Sequence, residues 1–262
     1  MISGLKAVVF DWAGTMIDFG SRAPVIALCK VFAAHGVPLE ESEARADMGL
    51  AKIDHIAAIL AQPRVRDAWA AQHGCAPDSA TAEQIFALIS PMMREAANEC
   101  ALLIPGAADV VRQLRAAGVK IGSCTGYTRE MMADILPAAA AQGYAPDALV
   151  CAGDTAEGRP SPLMLWKNLV DLGAWPATSC VKVDDAAVGI AEGRGAGVWT
   201  IGVAASGNSV GLSAQGLAAL APDDRAARIA HARQVLMEAG AHCVIDTVAD
   251  LPQALAQLSF NP

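Results

Sequence analysis

The chain has 262 residues, 54% of them apolar, and a formal net charge of −8, so it can bury a sizeable core as one large domain or as a core with an inserted module. The acidic balance and the lack of a Lys/Arg-rich block exclude nucleic acid and anionic membranes as the main partner, while a small anionic substrate could be held by a few local cations. Seven scattered cysteines without C-x-x-C spacing fit reduced thiols and offer no zinc site.

The opening stretch MISGLKAVVF runs directly into Asp11. It lacks the long apolar segment and cleavage site of a secretory signal, and no run is long enough to span a bilayer, so a cytoplasmic location is expected. LKAVVF (5–10) is the first of six short β-rich runs. It is followed by VKIGSCT (119–125), DALVC (147–151), SCVKV (179–183), VWTIGV (198–203) and HCVI (242–245), separated by longer helical patterns. Such alternation predicts an α/β fold with a parallel sheet wound with helices. The first four runs stop at polar or Gly-rich segments, DWAGT, TGYTRE, AGDTAEGRPSP and DDAAVG. Ligands of open α/β sheets collect at the carboxyl ends of the strands, so these four segments should converge.

Between the first and second runs lie about a hundred residues, far more than one crossover helix needs. From Arg22 to Cys100 the sequence is Ala-rich and helical in pattern, as in APVIALCKVFAAHG and SATAEQIFALISPMMREAANEC. The expected organisation is therefore a catalytic core made of residues 1–21 and 100–262 and a helical cap of residues 22–99. The chain re-enters the core through LLIPGAADVVRQLRAAGVKIGS, where Pro105-Gly106 precedes a helix. Residues 205–235, rich in Ala and Gly, have no assignable pattern.

Asp11 follows an apolar strand, where a carboxylate needs compensation for its desolvation. A metal ion or a reacting phosphorus centre supplies it, and so does a role as helix cap. Thr125 closes the second run, where a hydroxyl and the N–H groups opening the next helix can hold phosphate oxygens. Arg159, in EGRPSP, offers a cation able to neutralise a carboxylate and a phosphoryl group together, or it is a surface arginine. Asp184 and Asp185 end the run SCVKV. Adjacent buried carboxylates repel unless a cation such as Mg²⁺ holds at least one of them, although one could cap the following helix.

In order and spacing these four segments resemble the four motifs of the haloacid dehalogenase superfamily of phosphotransferases. The resemblance implies a Rossmann-like core with an inserted cap, an aspartate nucleophile, a Ser/Thr and a Lys/Arg that position the phosphoryl group, and late acids for Mg²⁺. Phosphatases of that superfamily carry a second aspartate two residues after the nucleophile, as general acid for the departing alkoxide. Here that position is Ala13. The chain should therefore be a poor phosphomonoesterase, and it is either an idle binding module or an enzyme whose leaving group is stabilised differently.

The stretch DMGLAKIDHI (47–56) suggests how. If helical, it puts Met48, Lys52 and His55 on one face. A lysine amine can condense with a carbonyl, and the resulting iminium accepts the electrons of a breaking bond on the adjacent carbon. That is the chemistry a carbon–phosphorus bond needs. Taken alone, each of these residues is also an ordinary helix or packing residue. Together FDWAGT, MGLAKIDH and GYTREMM are similar to the phosphonoacetaldehyde hydrolase family, a branch of the superfamily with alanine in place of the second aspartate and a Schiff-base lysine in the cap.

What this second resemblance implies is Asp11 as nucleophile, Lys52 as imine-forming amine, and Thr125 and Arg159 as phosphonate ligands. Mg²⁺ would be held by Asp11, the backbone carbonyl of Ala13 and Asp185. His55 and Tyr127 would relay protons or set the environment of the lysine, beside Met48, and the protein would be a homodimer joined through its cap. A usable Lys52 needs surroundings that disfavour its charge, through desolvation and nearby positive groups. Two departures stand out: Ser21 takes the place of a cysteine, and Gly189 that of a further acid after the metal aspartate.

Overall fold

The computed structural model describes residues 4–260; the outermost residues of the expected core, 1–3 and 261–262, lie outside them. Strands β1 (Ala7–Phe10), β2 (Lys120–Thr125), β3 (Ala148–Cys151), β4 (Cys180–Asp184), β5 (Trp199–Val203) and β6 (Cys243–Ile245) form a six-stranded sheet. Its order is β3-β2-β1-β4-β5-β6 and every pairing is parallel. β1 and β4, at its centre, are buried along their whole length. Central parallel strands covered on both faces read as near-continuous apolar runs, which makes them visible in sequence. The expected runs agree with the strands to within two residues at each end. The one consequential shift is at β4, which extends through Asp184, so this acid belongs to the strand itself and not to the loop after it.

Among the described residues six helices fall between β1 and β2: α1 (Arg22–Ala34), α2 (Glu41–Arg45), α3 (Lys52–Ala61), α4 (Pro63–His73), α5 (Ser79–Cys100) and α6 (Ala107–Ala116). α1 starts at a buried acid, because the Ala23 N–H donates to Asp18 Oδ2 at 2.8 Å. It lies along α5 and buries Leu28, Val31 and Phe32, while α5 offers Ile85, Ile89 and Met93 at the i, i+4, i+8 spacing of one helix face. α3 also packs on α5, burying Ile56, Ile59 and Leu60. These side chains join Val8, Phe10 and Ile121 of the sheet and Trp12 and Met16 of the connecting loop in one apolar cluster.

After β2 come α7 (Arg129–Met132), α8 (Ile135–Ala141), α9 (Leu163–Leu172), α10 (Ala187–Ala196), α11 (Ala214–Ala218), α12 (Pro222–Glu238) and α13 (Leu251–Leu255). The unassigned stretch 205–235 is thus a run of turns followed by α11 and most of α12. Among the described residues no helix is long and apolar enough to cross a membrane.

Candidate active site

The sheet order reverses between β1 and β4, the place where open α/β sheets collect their ligands. Asp11 leaves β1 there, and its N–H donates to Val183 O of β4 at 2.9 Å. This sets it beside Asp184 and Asp185: carboxylate oxygens of all three lie within 4.8 Å of one another, and all three residues are buried. Thr125 ends β2 next door, and its Oγ1 accepts the N–H of Tyr127 at 3.1 Å. A cavity of about 30 Å³ is lined by Asp11, Ala13, Thr125, Tyr127, Arg159 and Asp185 of the core and by Met48 and Lys52 of the insert. All the expected site residues therefore share one cavity except His55, which stands behind Lys52.

One expectation needs correction. Residues 47–56 do not form a single helix, because α3 begins only at Lys52. Asp47 and Gly49 have left-handed φ values of 56° and 100°, which a helix cannot accommodate. Met48 therefore reaches the cavity from a turn. Its turn is docked on the core so closely that a β-carbon at Gly49 would lie 2.7 Å from Val188 Cγ2.

Lys52 is 2% exposed, at the first position of a helix, where the macrodipole already opposes a positive charge. Burial lowers its pKa to about 8, against the opposing pull of the Asp11 carboxylate. The desolvation half of the expectation is thus found, whereas the charged neighbour that bears on Lys52 is an anion and not a cation. Its Nζ lies 3.4 Å from His55 Nδ1 and 5.8 Å from the centre of the Tyr127 ring. Burial, followed by the Lys52 charge, lowers the His55 pKa to about 3. The imidazole is therefore neutral at pH 7 and able to accept a hydrogen bond from the amine at Nδ1. Burial likewise holds the Tyr127 phenol well above its ordinary pKa, so it remains protonated.

Arg159 is held on every side: Nη1 donates to Asp11 Oδ1 at 2.8 Å, Nη2 to Cys124 O at 2.7 Å and Nε to Glu192 Oε2 at 3.1 Å. Its expected pairing with a carboxylate is present, and Nη1 and Nη2 each retain a second hydrogen. Burial, followed by the charge of Asp184, raises the Asp11 pKa to about 6, although Arg159 and Lys182 oppose this. Asp185 is pushed well above the carboxylate range by burial and then by Asp11 and Asp184.

Sequence reasoning missed Lys182 and Glu192. Both are fully buried, and Lys182 Nζ lies 3.1 Å from Asp184 Oδ2 and 3.1 Å from Glu192 Oε2. The available signal was a lysine in the middle of a buried strand, which requires a counter-ion nearby. With them the site contains four buried carboxylates, Asp11, Asp184, Asp185 and Glu192, and three buried cations, Lys52, Arg159 and Lys182. The buried acids outnumber the buried cations, and a bound cation beside Asp11 and Asp185 would offset the burial and relieve the mutual repulsion that raise both of their pKa values. The donor set, all carboxylate oxygen, is that of a hard cation. Of the two departures, Ser21 lines the cavity and Gly189 faces Asp184.

Comparison with known proteins agrees with this geometry. The family model of haloacid dehalogenase-like hydrolases matches residues 5–197. A phosphonoacetaldehyde hydrolase of Paraburkholderia xenovorans (strain LB400) is 51% identical over 94% of this chain and 92% of its own length. Another, from Hahella chejuensis (strain KCTC 2396), is 44% identical over 96% of this chain and 85% of its own. The crystal structure of a phosphonoacetaldehyde hydrolase-like protein from Oleispira antarctica superposes with a TM-score of 0.95 at 41% identity, covering 97% of this chain and 92% of that one. The chain belongs to the haloacid dehalogenase-like hydrolases and, within them, to the family of these phosphonoacetaldehyde hydrolases. Hydrolases of this kind generally use a divalent metal, and the cluster of Asp11, Asp184 and Asp185 fits one.

Proposed function

We propose that the chain hydrolyses phosphonoacetaldehyde to acetaldehyde and phosphate, with Asp11 and Lys52 as its catalytic residues. The observation that carries this is a buried lysine of lowered pKa in the same cavity as the strand-end aspartate. At pH 7 a pKa of about 8 leaves about one Lys52 in ten neutral, against about one in a few thousand for an ordinary lysine.

The neutral amine attacks the aldehyde carbon and water is lost, giving a protonated imine. His55, neutral and next to the amine, accepts a hydrogen bond from it and sets its environment, and the Tyr127 phenol borders the same space. The Asp11 carboxylate attacks phosphorus, the carbon–phosphorus bond breaks, and its electrons move into the iminium to give an enamine. One water releases phosphate from Asp11. The enamine takes a proton at carbon, and a second water frees acetaldehyde and Lys52, so that one water is consumed overall. Thr125 and Arg159 orient the phosphonate oxygens. Mg²⁺, on Asp11, the carbonyl of Ala13 and Asp185, would supply positive charge to screen the phosphonate from the attacking carboxylate. No step produces an alkoxide, which is why Ala13 suffices where an acid would otherwise be needed.

The insert, residues 22–99, acts as a cap over a core of residues 1–21 and 100–262. A cavity of about 30 Å³ has room for a water or two, so the cap must swing away to admit substrate. A second copy would meet it along α5, where Gln84, Ala87, Leu88 and Pro91 form an exposed, mostly apolar stripe. That stripe supports a homodimer. The cytoplasm is the expected compartment.

The deciding experiment compares phosphate release from phosphonoacetaldehyde and from an aryl phosphate in the presence of Mg²⁺. Turnover confined to the phosphonate is expected. Preference for the aryl phosphate would instead identify a phosphomonoesterase or phosphomutase.

A further inference from the structure

α2 contributes no residue to the cavity wall, yet its last residue ties the insert to the core. Arg45 Nη1 donates to Gly20 O at 3.0 Å and to Asn208 Oδ1 at 3.1 Å, and Nη2 donates to Gly211 O at 2.8 Å. Its Nε is held by Glu41 Oε1 at 2.8 Å. In return Asn208 Nδ2 donates to Arg45 O at 3.2 Å. Position 211 is fitted to this guanidinium, since a β-carbon at Gly211 would stand 2.7 Å from Arg45 Nε. The Arg45 side chain is 14% exposed, so these charge-assisted bonds are largely sheltered from water.

The loop that Arg45 grips also reaches the acids. The Asn208 N–H donates to Asp185 Oδ2 at 2.7 Å, and Ser206 Oγ donates to Gly14 O, beside Ala13, at 2.7 Å. Asn208 is thus held from one side by the insert and holds an active-site carboxylate on the other.

We propose that Arg45 is a positioning residue that couples closure of the insert to the orientation of Asp185, and through it to binding of the divalent cation. This rests on the reading of Asp185 as a metal ligand. With the insert closed, Asn208 is fixed and its N–H keeps Asp185 Oδ2 turned toward the loop. With the insert open, Arg45 leaves residues 206–211 and that support loosens. Linkage makes the effect reciprocal: the cation favours the closed insert to the same extent that closure favours the cation.

The test is calorimetric titration of Mg²⁺ alone into the full chain and its variants, with thermal unfolding as a check on folding. Arg45→Met and Asn208→Ala should each weaken Mg²⁺ binding by about 10–100-fold, as loss of a group supporting a metal ligand does. Arg45→Lys, which keeps the charge and loses the planar fork, should recover part of the loss. Arg64→Met, which removes an exposed arginine paired with Glu43 within the insert, should bind as the unaltered chain does. Turnover of Arg45→Met should return toward normal at saturating Mg²⁺, which a general folding defect would not permit. Asn208→Ala keeps every residue of α2, removing only its side-chain hydrogen bonds with Arg45, and decides the matter if Arg45→Met does not fold. Unchanged affinity in Arg45→Met and Asn208→Ala, with binding abolished in Asp185→Asn, would overturn the coupling alone. Unchanged affinity in Asp185→Asn would overturn the metal assignment and the coupling with it.

Discussion

The carboxylate of Asp184 fills the space that any side chain at Gly189 would need: a β-carbon built at position 189 would lie 2.0 Å from Asp184 Oδ2. The space in which the resemblance places a further acid is thus filled by an acid arriving from the end of β4, in contact with Lys182 and Arg159. Gly189→Asp alone should cost about 1–3 kcal/mol from overpacking, with more from the added buried charge. Asp184→Gly should leave the two cations short of a partner. The double variant Asp184→Gly/Gly189→Asp should regain most of the melting temperature that either single variant loses. Additive losses in thermal unfolding would show that the two positions do not share one carboxylate site.

The ion network beneath the cavity makes a separate prediction. Glu192 pairs with both Arg159 and Lys182, and all three side chains are at most 1% exposed. Removing one partner of a buried pair leaves charge uncompensated, so Lys182→Met and Glu192→Gln should each destabilise the chain by about 3–5 kcal/mol. Urea unfolding measures this. A loss below about 1 kcal/mol, the range of exposed ion pairs, would mean that the network is not needed for the fold.

How much of this was legible beforehand follows from how local each signal is. The strands could be read because covered parallel strands are apolar throughout, and Asp11, Thr125, Arg159 and Asp185 could be placed because each closes a strand or opens a helix. Lys52 was singled out by its neighbours MGLA and IDH, but the helix expected there fails over residues 47–51, where docking against Ala186 and Val188 overrides helical periodicity. Lys182 was passed over as one polar position in a strand, since its partner Glu192 lies on α10 and meets it only when the helix packs. Arg45 carried no motif at all. Its meaning lies in carbonyls at residues 20 and 211, remote in sequence.

At Ala13, Ala13→Asp should not raise phosphonate turnover. The residue lines the cavity beside Asp11 and Asp185, whose carboxylates already resist ionisation, and a further acid adds repulsion. Steady-state phosphate release measures this, and an increase would mean that a proton donor, not an electron sink, limits the reaction.

Asp11→Asn should lower phosphate release by several orders of magnitude, as loss of a covalent nucleophile does. The same variant should still condense with the aldehyde. Asp11 is the charge that raises the Lys52 pKa, so its removal should make the amine neutral at lower pH. Loss of both activities together, in a folded protein, would mean that Asp11 and Lys52 do not act in separate steps.

Reductive trapping at Lys52 bears most directly on the chemistry. The reactive form is the neutral amine, and a lowered pKa populates it at lower pH. With a pKa of about 8, the trapping rate should rise about tenfold per pH unit below 8 and level off above it, whereas an ordinary lysine would go on gaining up to about pH 10.4. Incubation with phosphonoacetaldehyde and borohydride should inactivate the enzyme and place one reduced adduct on the peptide containing Lys52. Lys52→Arg should keep charge and fold but lose both adduct and turnover, because a guanidinium does not condense with the aldehyde under these conditions. An adduct on another lysine, or full turnover in Lys52→Arg, would contradict the assignment of Lys52 as the imine-forming residue.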